Sequence, residues 1–317
     1  MEDVQPGAAA PEGITWRIAL WARELGFIGA GFSRPERPAF MEEFCRWIRS
    51  GRHGGMAWLA RGLQAREDPA RLLRGCRTII SLAYPYPKEK PATPEGLTTA
   101  RYSRPWTEDY HTTLKCLCGE LSSRLKRELP ESRTRICVDS APILERSAAV
   151  RAGLGFIGRN NMLIVPEYGS YVFLAEILTT AELQASQPQP VSDQCGSCTR
   201  CLDACPTGAL EAPFSMDASK CLSYLTVESS EPVGPETGSL MGDCFLGCDC
   251  CQEVCPYNGG AGAREVVLPV AGAFLEMSEE AFSRRFGHTA LARPGLAKIQ
   301  SNLRALIASR EPRLDPG

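Results

Sequence analysis

Apolar positions Ile14, Ile18, Leu20, Trp21 and Leu25 recur at helical spacing and stop at Gly26. The chain therefore predicts an opening helix, then a short strand through Phe27 and Ile28. Pro38 to Ser50 reads as a second helix. The stretch GRHGGMAWLAR after it, with Gly51, Gly54 and Gly55, predicts a turn against a bulky neighbour. Thr78 to Tyr84 (TIISLAY) is β-branched and apolar and is closed by Pro85 and Pro87, the pattern of a buried strand. Lys88 to Thr99 reads as a Pro/Thr-rich loop. Glu108 to Leu129 carries a long helical period, Ile136 to Val138 a short strand, and Ala141 to Ala152 a helix with Pro142 in its first turn. Met162 to Val165 and Tyr171 to Leu178 read as a strand pair joined by PEYGS. Helices follow at Ser278 to Phe286 and Leu296 to Ser309.

Strands that alternate with helices predict an α/β fold with a mixed α+β sheet over residues 14–184, after a flexible lead-in at 1–13. The segment QASQPQPVSDQ reads as a linker into a cysteine-rich module at 185–260, and 261–317 as a helical C-terminal tail. At 317 residues and 44% hydrophobic composition, the chain has ample material for a buried core. Its net charge of -2 lacks the footprint of a strongly basic nucleic-acid binder, although a local arginine face can hold phosphates without changing the total. The N-terminal MEDVQPGAAAPEG has no basic stretch followed by an apolar one, and no apolar run reaches about 18 residues. A soluble, cytoplasmic protein with no membrane partner is the expectation, with monomer as the default state.

Candidate chemistry enters with the cysteines. Ten of the fifteen fall between Cys195 and Cys255 in a long chain without a signal peptide, which favours metal thiolates over disulfides. Cys195, Cys198, Cys201 and Cys205, followed by Pro206, have the C-x2-C-x2-C-x3-C-P spacing of bacterial ferredoxins, and a partial second copy ends in Cys248, Cys251, Cys255 and Pro256. Two [4Fe-4S] clusters moving single electrons are implied. A zinc site is the alternative for any CxxC pair, but the complete first motif disfavours it. Because the fourth cysteine of each run crosses over, Cys195, Cys198, Cys201 and Cys255 are expected around one cluster, and Cys205, Cys248 and Cys251 around the other with one further cysteine, for which Cys221 is a candidate. Spacing alone leaves Cys244 and Cys250 as competitors for the last of these positions.

Other motifs are weaker. GLGFIG at Gly153–Gly158 follows a helix and lacks an acidic ribose ligand downstream, so it is not read as a dinucleotide fingerprint. Asp139 ends the strand ICVD ahead of SAPILER, where it is either a proton donor at a sheet rim or a helix cap before Pro142. His111 in DYHTTL approaches the D-x-H-x-x-G pattern of cobalt-ligating proteins, but Leu114 stands in the glycine position, so ligation is not expected.

Several blocks taken together resemble the epoxyqueuosine reductase family: VDSAPILERSAAVRAGLGFIGRNNMLIVPEYGSYVFLAEILT, the extended first motif CPTGAL, KCLSYLTVE and FLGCDCCQEVCPYN, with GRHGGMAWL and ARYSRPWTEDYH in the same order. The resemblance spans about residues 14 to 260. It implies a cobalamin in the α/β domain, two [4Fe-4S] clusters feeding it electrons from an external one-electron donor such as flavodoxin or ferredoxin, and reduction of epoxyqueuosine to queuosine at the tRNA wobble position, the last step of queuosine biosynthesis. It favours Cys221 as the last cluster ligand. By motif, Asp139 corresponds to the family's proton donor, with a carboxyl that burial should push up. Tyr102, Ser223, Cys248 and Asp249 correspond to residues beside the cofactor, Arg61 to a further contact, and residues 153–163, Leu163 among them, to its lining. The extra Cys244 and Cys250 depart from the pattern, and the tail is too short for the helical-repeat extension of some members. The competing readings are a corrinoid-dependent reductase of a small electrophile such as an organohalide, as in the remotely similar reductive dehalogenases, and a non-catalytic iron–sulfur electron carrier.

Overall fold

A computed structural model describes residues 13–105, 108–186, 194–260 and 262–310. The flexible lead-in expected at 1–13 falls almost wholly outside these residues, as does most of the expected linker. Helix α1 (Ile14–Glu24) buries Ile18 and Ala22, one turn apart, and ends where Gly26 turns the chain at φ 92°. Phe27 still donates back to the carbonyl of Ala22, so strand β1 (Gly29–Ser33) starts two residues later than the apolar pattern suggested. Helix α2 (Met41–Arg49) follows, then short helices α3 (Ala57–Arg61) and α4 (Leu63–Glu67).

Strand β2 (Thr78–Pro85) fulfils the TIISLAY expectation. The segment read as a loop instead contains β3 (Lys90–Ala92) and β4 (Thr98–Thr99), whose partners come from the far end of the chain. Helix α5 (Tyr110–Glu128) buries Leu114, Cys118, Leu121 and Leu125 at i, i+4, i+7 and i+11, and strand β5 (Thr134–Cys137) then returns along it. Helix α6 (Glu145–Arg151) starts after Pro142 rather than around it. Strands β6 (Phe156–Ile157) and β7 (Leu163–Ile164) pair with each other, and β8 (Val172–Thr179) joins the main sheet. The expected hairpin between Met162 and Leu178 is thus absent apart from a single Val165–Gly169 bridge. Continuous apolar runs do not encode which strands pair, and β8, buried on both faces, finds two partners in the central sheet.

That sheet has the order β1-β2-β8-β5 and is antiparallel throughout, with Thr78 opposite Thr179 and Thr134 opposite the same residue on the other side. Alternation sends Ile80 and Leu82 toward α1 and α5, and Ile79 and Ala83 toward the opposite face. Because α5 and β5 run in opposite directions, the first turn of the helix meets the residues just after the strand.

The C-terminal half begins with the short helix α7 (Arg200–Asp203), the β9 (Leu210–Ala212) and β10 (Ser215–Met216) pair, a π-helical turn at Tyr224–Glu228, and helix α8 (Pro235–Leu240). Strand β11 (Cys244–Leu246), helix α9 (Cys250–Glu253) and strand β12 (Arg264–Val266) come next. The chain closes with α10 (Ala271–Glu276), α11 (Glu279–Phe286), capped by Ser278, and α12 (Leu296–Ala308). A second sheet has the order β11-β4-β3-β12, with both outer strands parallel to their neighbours. Mixed α/β sheets are therefore borne out. One core joins Leu97 to Leu222, Phe245, Phe274, Leu303 and Leu306, so the tail packs on the cysteine-rich region as a continuous body. Phe274 is fully buried and contacts the rings of Phe245 and Phe286. Phe274→Ala should cost about 3–5 kcal/mol, measured as a lowered midpoint in urea unfolding.

Candidate active site

The second cysteine motif is fastened to the α/β domain by a buried charge network. Arg101 is 1% exposed; its backbone N–H and a guanidinium N–H both donate to Asp249 Oδ2, at 2.9 and 3.0 Å. The same guanidinium donates to Glu253 Oε1 at 2.6 Å and to the Lys88 carbonyl at 2.7 Å, while Lys90 Nζ reaches Glu253 at 3.0 Å. Burial lifts the Asp249 carboxyl and Arg101 opposes that lift. Nearby, Asn258 and Gln252 lock onto Ser170: the Ser170 N–H donates to Asn258 Oδ1 at 2.7 Å and its hydroxyl to Gln252 at 2.9 Å. Gly169, at φ 89°, is required there because a Cβ would lie 2.0 Å from Asn258 Oδ1.

The cysteines act on one another in two overlapping groups. Burial and then facing thiols raise their pKa: Cys201 faces Cys195 and Cys255, and Cys255 faces Cys195 and Cys198. Cys251 faces Cys221, Cys201 and Cys205, and Cys221 faces Cys205 and Cys250. Cys248 and Cys250 act on each other electrostatically, which raises the first thiol and lowers the second. Cys244 is buried, and its thiol donates to the carbonyls of Leu246 and Gly247 at 3.4 and 3.5 Å. Among the described residues, no three His, Cys, Asp or Glu side chains converge tightly enough for a single metal ion. A four-iron cluster holds its thiolates farther apart than one ion does.

At the sheet rim, Asp139 occupies the centre of a tight turn closed by the Ser140 N–H on the Val138 carbonyl at 2.5 Å, with φ 48°. A non-glycine residue in this region is strained, and strain of this kind gathers at functional sites. The side chain does not cap α6. It accepts from Tyr110 Oη at 3.1 Å, lies 2.9 Å from His111 Nε2, and faces Arg293 at 3.7 Å. Its backbone N–H donates to Glu145 Oε1 at 2.6 Å. Burial pushes the Asp139 carboxyl up, but His111, Arg293 and Tyr110 together outweigh that and hold it below its ordinary value. The expected upward shift is therefore not present at Asp139; it appears at Glu145, raised first by burial and then by the Asp139 charge.

The remaining predicted residues divide. Tyr102 stands edge-on to Tyr110 at 6.4 Å and close to Gly247, so it links Asp139 to the Cys248 strand end. Ser223 precedes the π-helical turn whose Glu228 binds Arg293 at 2.6 Å. The Leu163 side chain is 2% exposed within an apolar cluster, leaving only backbone for a ligand, and the Asp249 side chain is consumed by Arg101. Arg61 is exposed at the end of α3. The bulky neighbour of the GRHGG turn is Tyr224, whose hydroxyl accepts from the Gly55 N–H at 2.6 Å. Sequence reasoning missed His111 as a partner of Asp139, together with Tyr110, Glu145 and Arg293. The first two sit in the DYH segment singled out for another reason, whereas nothing around Arg293 signalled its role.

Residues 194–258 match the family model of the 4Fe-4S double cluster binding domain, and residues 66–140 match that of Epoxyqueuosine reductase QueG, DUF1730. The epoxyqueuosine reductase of Leadbetterella byssophila is 36% identical over 297 residues, covering 90% of this chain and 96% of that one. The structure of epoxyqueuosine reductase from Streptococcus thermophilus superposes with a TM-score of 0.82 at 31% identity, covering 93% of this chain and 81% of that one. A crystal structure of epoxyqueuosine reductase with an epoxyqueuosine-modified tRNA-Tyr stem loop gives 0.81 at 30% identity, covering 92% and 80%. Fold and cysteine module together define an iron–sulfur oxidoreductase. The chain belongs to the epoxyqueuosine reductase family. No helix among the described residues is long and apolar enough to cross a membrane.

Removing Arg101 leaves Asp249 buried without its partner. Arg101→Met should destabilise the protein by about 3–5 kcal/mol in urea unfolding, and adding Asp249→Asn should recover part of that loss.

Proposed function

We propose that this enzyme reduces epoxyqueuosine to queuosine in tRNA with cobalamin and two [4Fe-4S] clusters, and that Asp139 protonates the epoxide oxygen. The carrying observation is the strained Asp139 turn, held by Tyr110, His111 and Arg293 on the rim that faces the cysteine module. The donor set suits the clusters, since Cys195, Cys198, Cys201 and Cys255 act on one another and Cys251 is acted on by Cys221 and Cys205, with Cys201 between the two groups. By its place in the second motif, Cys248 is assigned as the remaining ligand of the second cluster. Cys244, occupied with carbonyls, is left out of both, and Cys250 is the near neighbour of Cys248 in the chain.

The rim also suits a corrinoid. Tyr102, Ser223 and Cys248 belong to the elements that meet beside Asp139, and the buried Asn161 side-chain nitrogen has no hydrogen-bond partner, leaving a donor for a polar ring substituent. Arg61 and the backbone of Leu163 are assigned to the corrinoid by motif alone, and Asp249 acts through Arg101 by fixing the loop. Tyr102, Ser223 and Cys248 would hold the cobalamin, which would supply low-potential electrons for opening the epoxide.

The chain's own residues do the rest. The Asp139 side chain is 42% exposed, open enough to meet a substrate oxygen, and a substrate that covers it strips its water and drives its pKa upward. Tyr110 and Arg293 fix its direction and stabilise the carboxylate left after transfer. Overall, the epoxide takes up two electrons and two protons and becomes an alkene and water. Cys255 lines a surface hollow with Arg200, Asp203 and Pro256, a face for an external one-electron donor.

The deciding experiment is anaerobic purification with cobalamin, low-potential reduction, and mass spectrometry of nucleosides from epoxyqueuosine-containing tRNA. Cobalamin-dependent conversion to queuosine supports the reading. An untouched nucleoside, with cobalamin and clusters in place, would shift it to a reductase of small electrophiles. Asp139→Asn should retain cofactors and lose turnover by on the order of 100-fold or more; a parental rate would sink the donor assignment. Cys244→Ser should keep about eight irons per chain by iron analysis, whereas Cys221→Ser should lose part of them.

A further inference from the structure

Reduction of an epoxide to an alkene places two protons on one oxygen, which departs as water, yet Asp139 has a single carboxyl proton to give. Within one turnover it must be reloaded from a group in contact with it. Four groups qualify by position. Tyr110 binds its proton more tightly than a free phenol, because burial and then the Asp139 charge raise it. Arg293 is committed to Glu228 and remains a cation. Glu145 bonds to the backbone N–H of Asp139, not to its carboxylate. His111 alone presents a transferable proton to the carboxylate, with Nε2 2.9 Å from Oδ2.

The other ring nitrogen is equally well held. Nδ1 lies 2.6 Å from Asp109 Oδ1, and that same oxygen caps α5 by accepting the His111 backbone N–H at 2.9 Å. The Asp109 N–H in turn donates to the His288 carbonyl at 2.8 Å, so the tail fixes the cap. The imidazole also stacks on Tyr110, with ring centroids 4.1 Å apart. A carboxylate only accepts, so Asp109 keeps a proton on Nδ1 and leaves the one on Nε2 as the mobile one.

We propose that His111, oriented by Asp109, carries the second proton of the reaction and passes it from Nε2 to Asp139 after Asp139 has given up its own. This rests on Asp139 being the donor. The first transfer breaks the Asp139 O–H bond and forms one on the opened epoxide oxygen. His111 Nε2–H then protonates Asp139, which delivers that proton as the oxygen leaves as water. The imidazole ends neutral, with Nδ1–H on Asp109; solvent reloads it after product release, and Asp139 takes up its own proton as the next substrate covers it. The two electrons come from the cofactor chain of the proposed function.

The charge environment favours this store. The Asp139 hydrogen bond raises the His111 pKa most, burial opposes it, and Asp109 adds to the rise. Arg293 and Glu145 are the other ionisable groups facing the pair, with Glu228 behind Arg293 and Tyr102 behind Tyr110. The loaded imidazolium is present below that raised pKa and is lost as pH rises through it. Turnover should therefore fall on the alkaline side of about 6.5.

The chain has three histidines, so the oxidised holoenzyme labelled with [13Cε1]-histidine gives three signals, assignable through His53→Gln and His288→Gln. His111 should titrate above the free-histidine value, and Asp139→Asn or Asp109→Asn should each lower it. In steady state, His111→Gln should lose on the order of 100-fold in kcat with little change in KM, and its alkaline limb should vanish. A parental kcat and an unchanged limb in His111→Gln, beside an inactive Asp139→Asn, would overturn the relay and leave the donor standing. An active Asp139→Asn would remove both. Should His111→Gln fail to fold, the titration decides: a His111 pKa indifferent to Asp139→Asn and Asp109→Asn rules the relay out.

Discussion

A guanidinium in a place without water must be answered by charge, and the buried Arg101 is answered by Asp249 and Glu253 from the second cysteine motif. A buried pair of this kind adds little net stability, since desolvation offsets the attraction, but either partner alone is strongly penalised. The α/β domain and the CDCCQEVC segment can therefore dock in one register only. Everything at the site inherits that register. Tyr102 is the next residue after Arg101, Cys248 the one before Asp249, and the two flanks of the ion pair meet beside Asp139.

The site is assembled from four stretches separated in sequence. The α5 start and the β5 end bring Tyr110, His111 and Asp139 together because helix and strand run in opposite directions. The π-helical turn supplies Glu228, and the tail supplies Arg293. Opposed electrostatic pulls then separate two neighbouring carboxyls: Asp139, ringed by donors, is held low, whereas Glu145, desolvated beside that charge, is raised. Divergent environments for adjacent acids are a mark of proton-handling sites.

Local physics was readable in the chain. Helical spacing marked α1, α5, α11 and α12 within a few residues, TIISLAY marked β2, and the ferredoxin-like spacing marked the cysteine module. Pairing was not readable. The Lys90–Ala92 and Thr98–Thr99 strands are too short and too Pro/Thr-rich to announce themselves, and what makes them strands is contact with far later segments, Arg264–Val266 and Cys244–Leu246. Arg293 and Glu145 eluded sequence reasoning for the same reason, as their roles exist only once the tail and α6 have packed. Asp249 shows the converse: its neighbourhood was legible from the motif, but its side chain serves the docking of the domains.

The second sheet interleaves early and late chain: β3 and β4 touch each other only at Ala92 and Thr98, and otherwise lean on β12 and β11. During synthesis the ribbon at 90–99 emerges long before either partner, leaving backbone donors and acceptors idle until nearly the whole polypeptide has left the ribosome. The central antiparallel sheet can close by residue 179, but the face that gathers Tyr102 and the second cysteine motif cannot. Strand pairing thus follows an order written into the chain, with every strand of the central sheet available before the partners of the second exist.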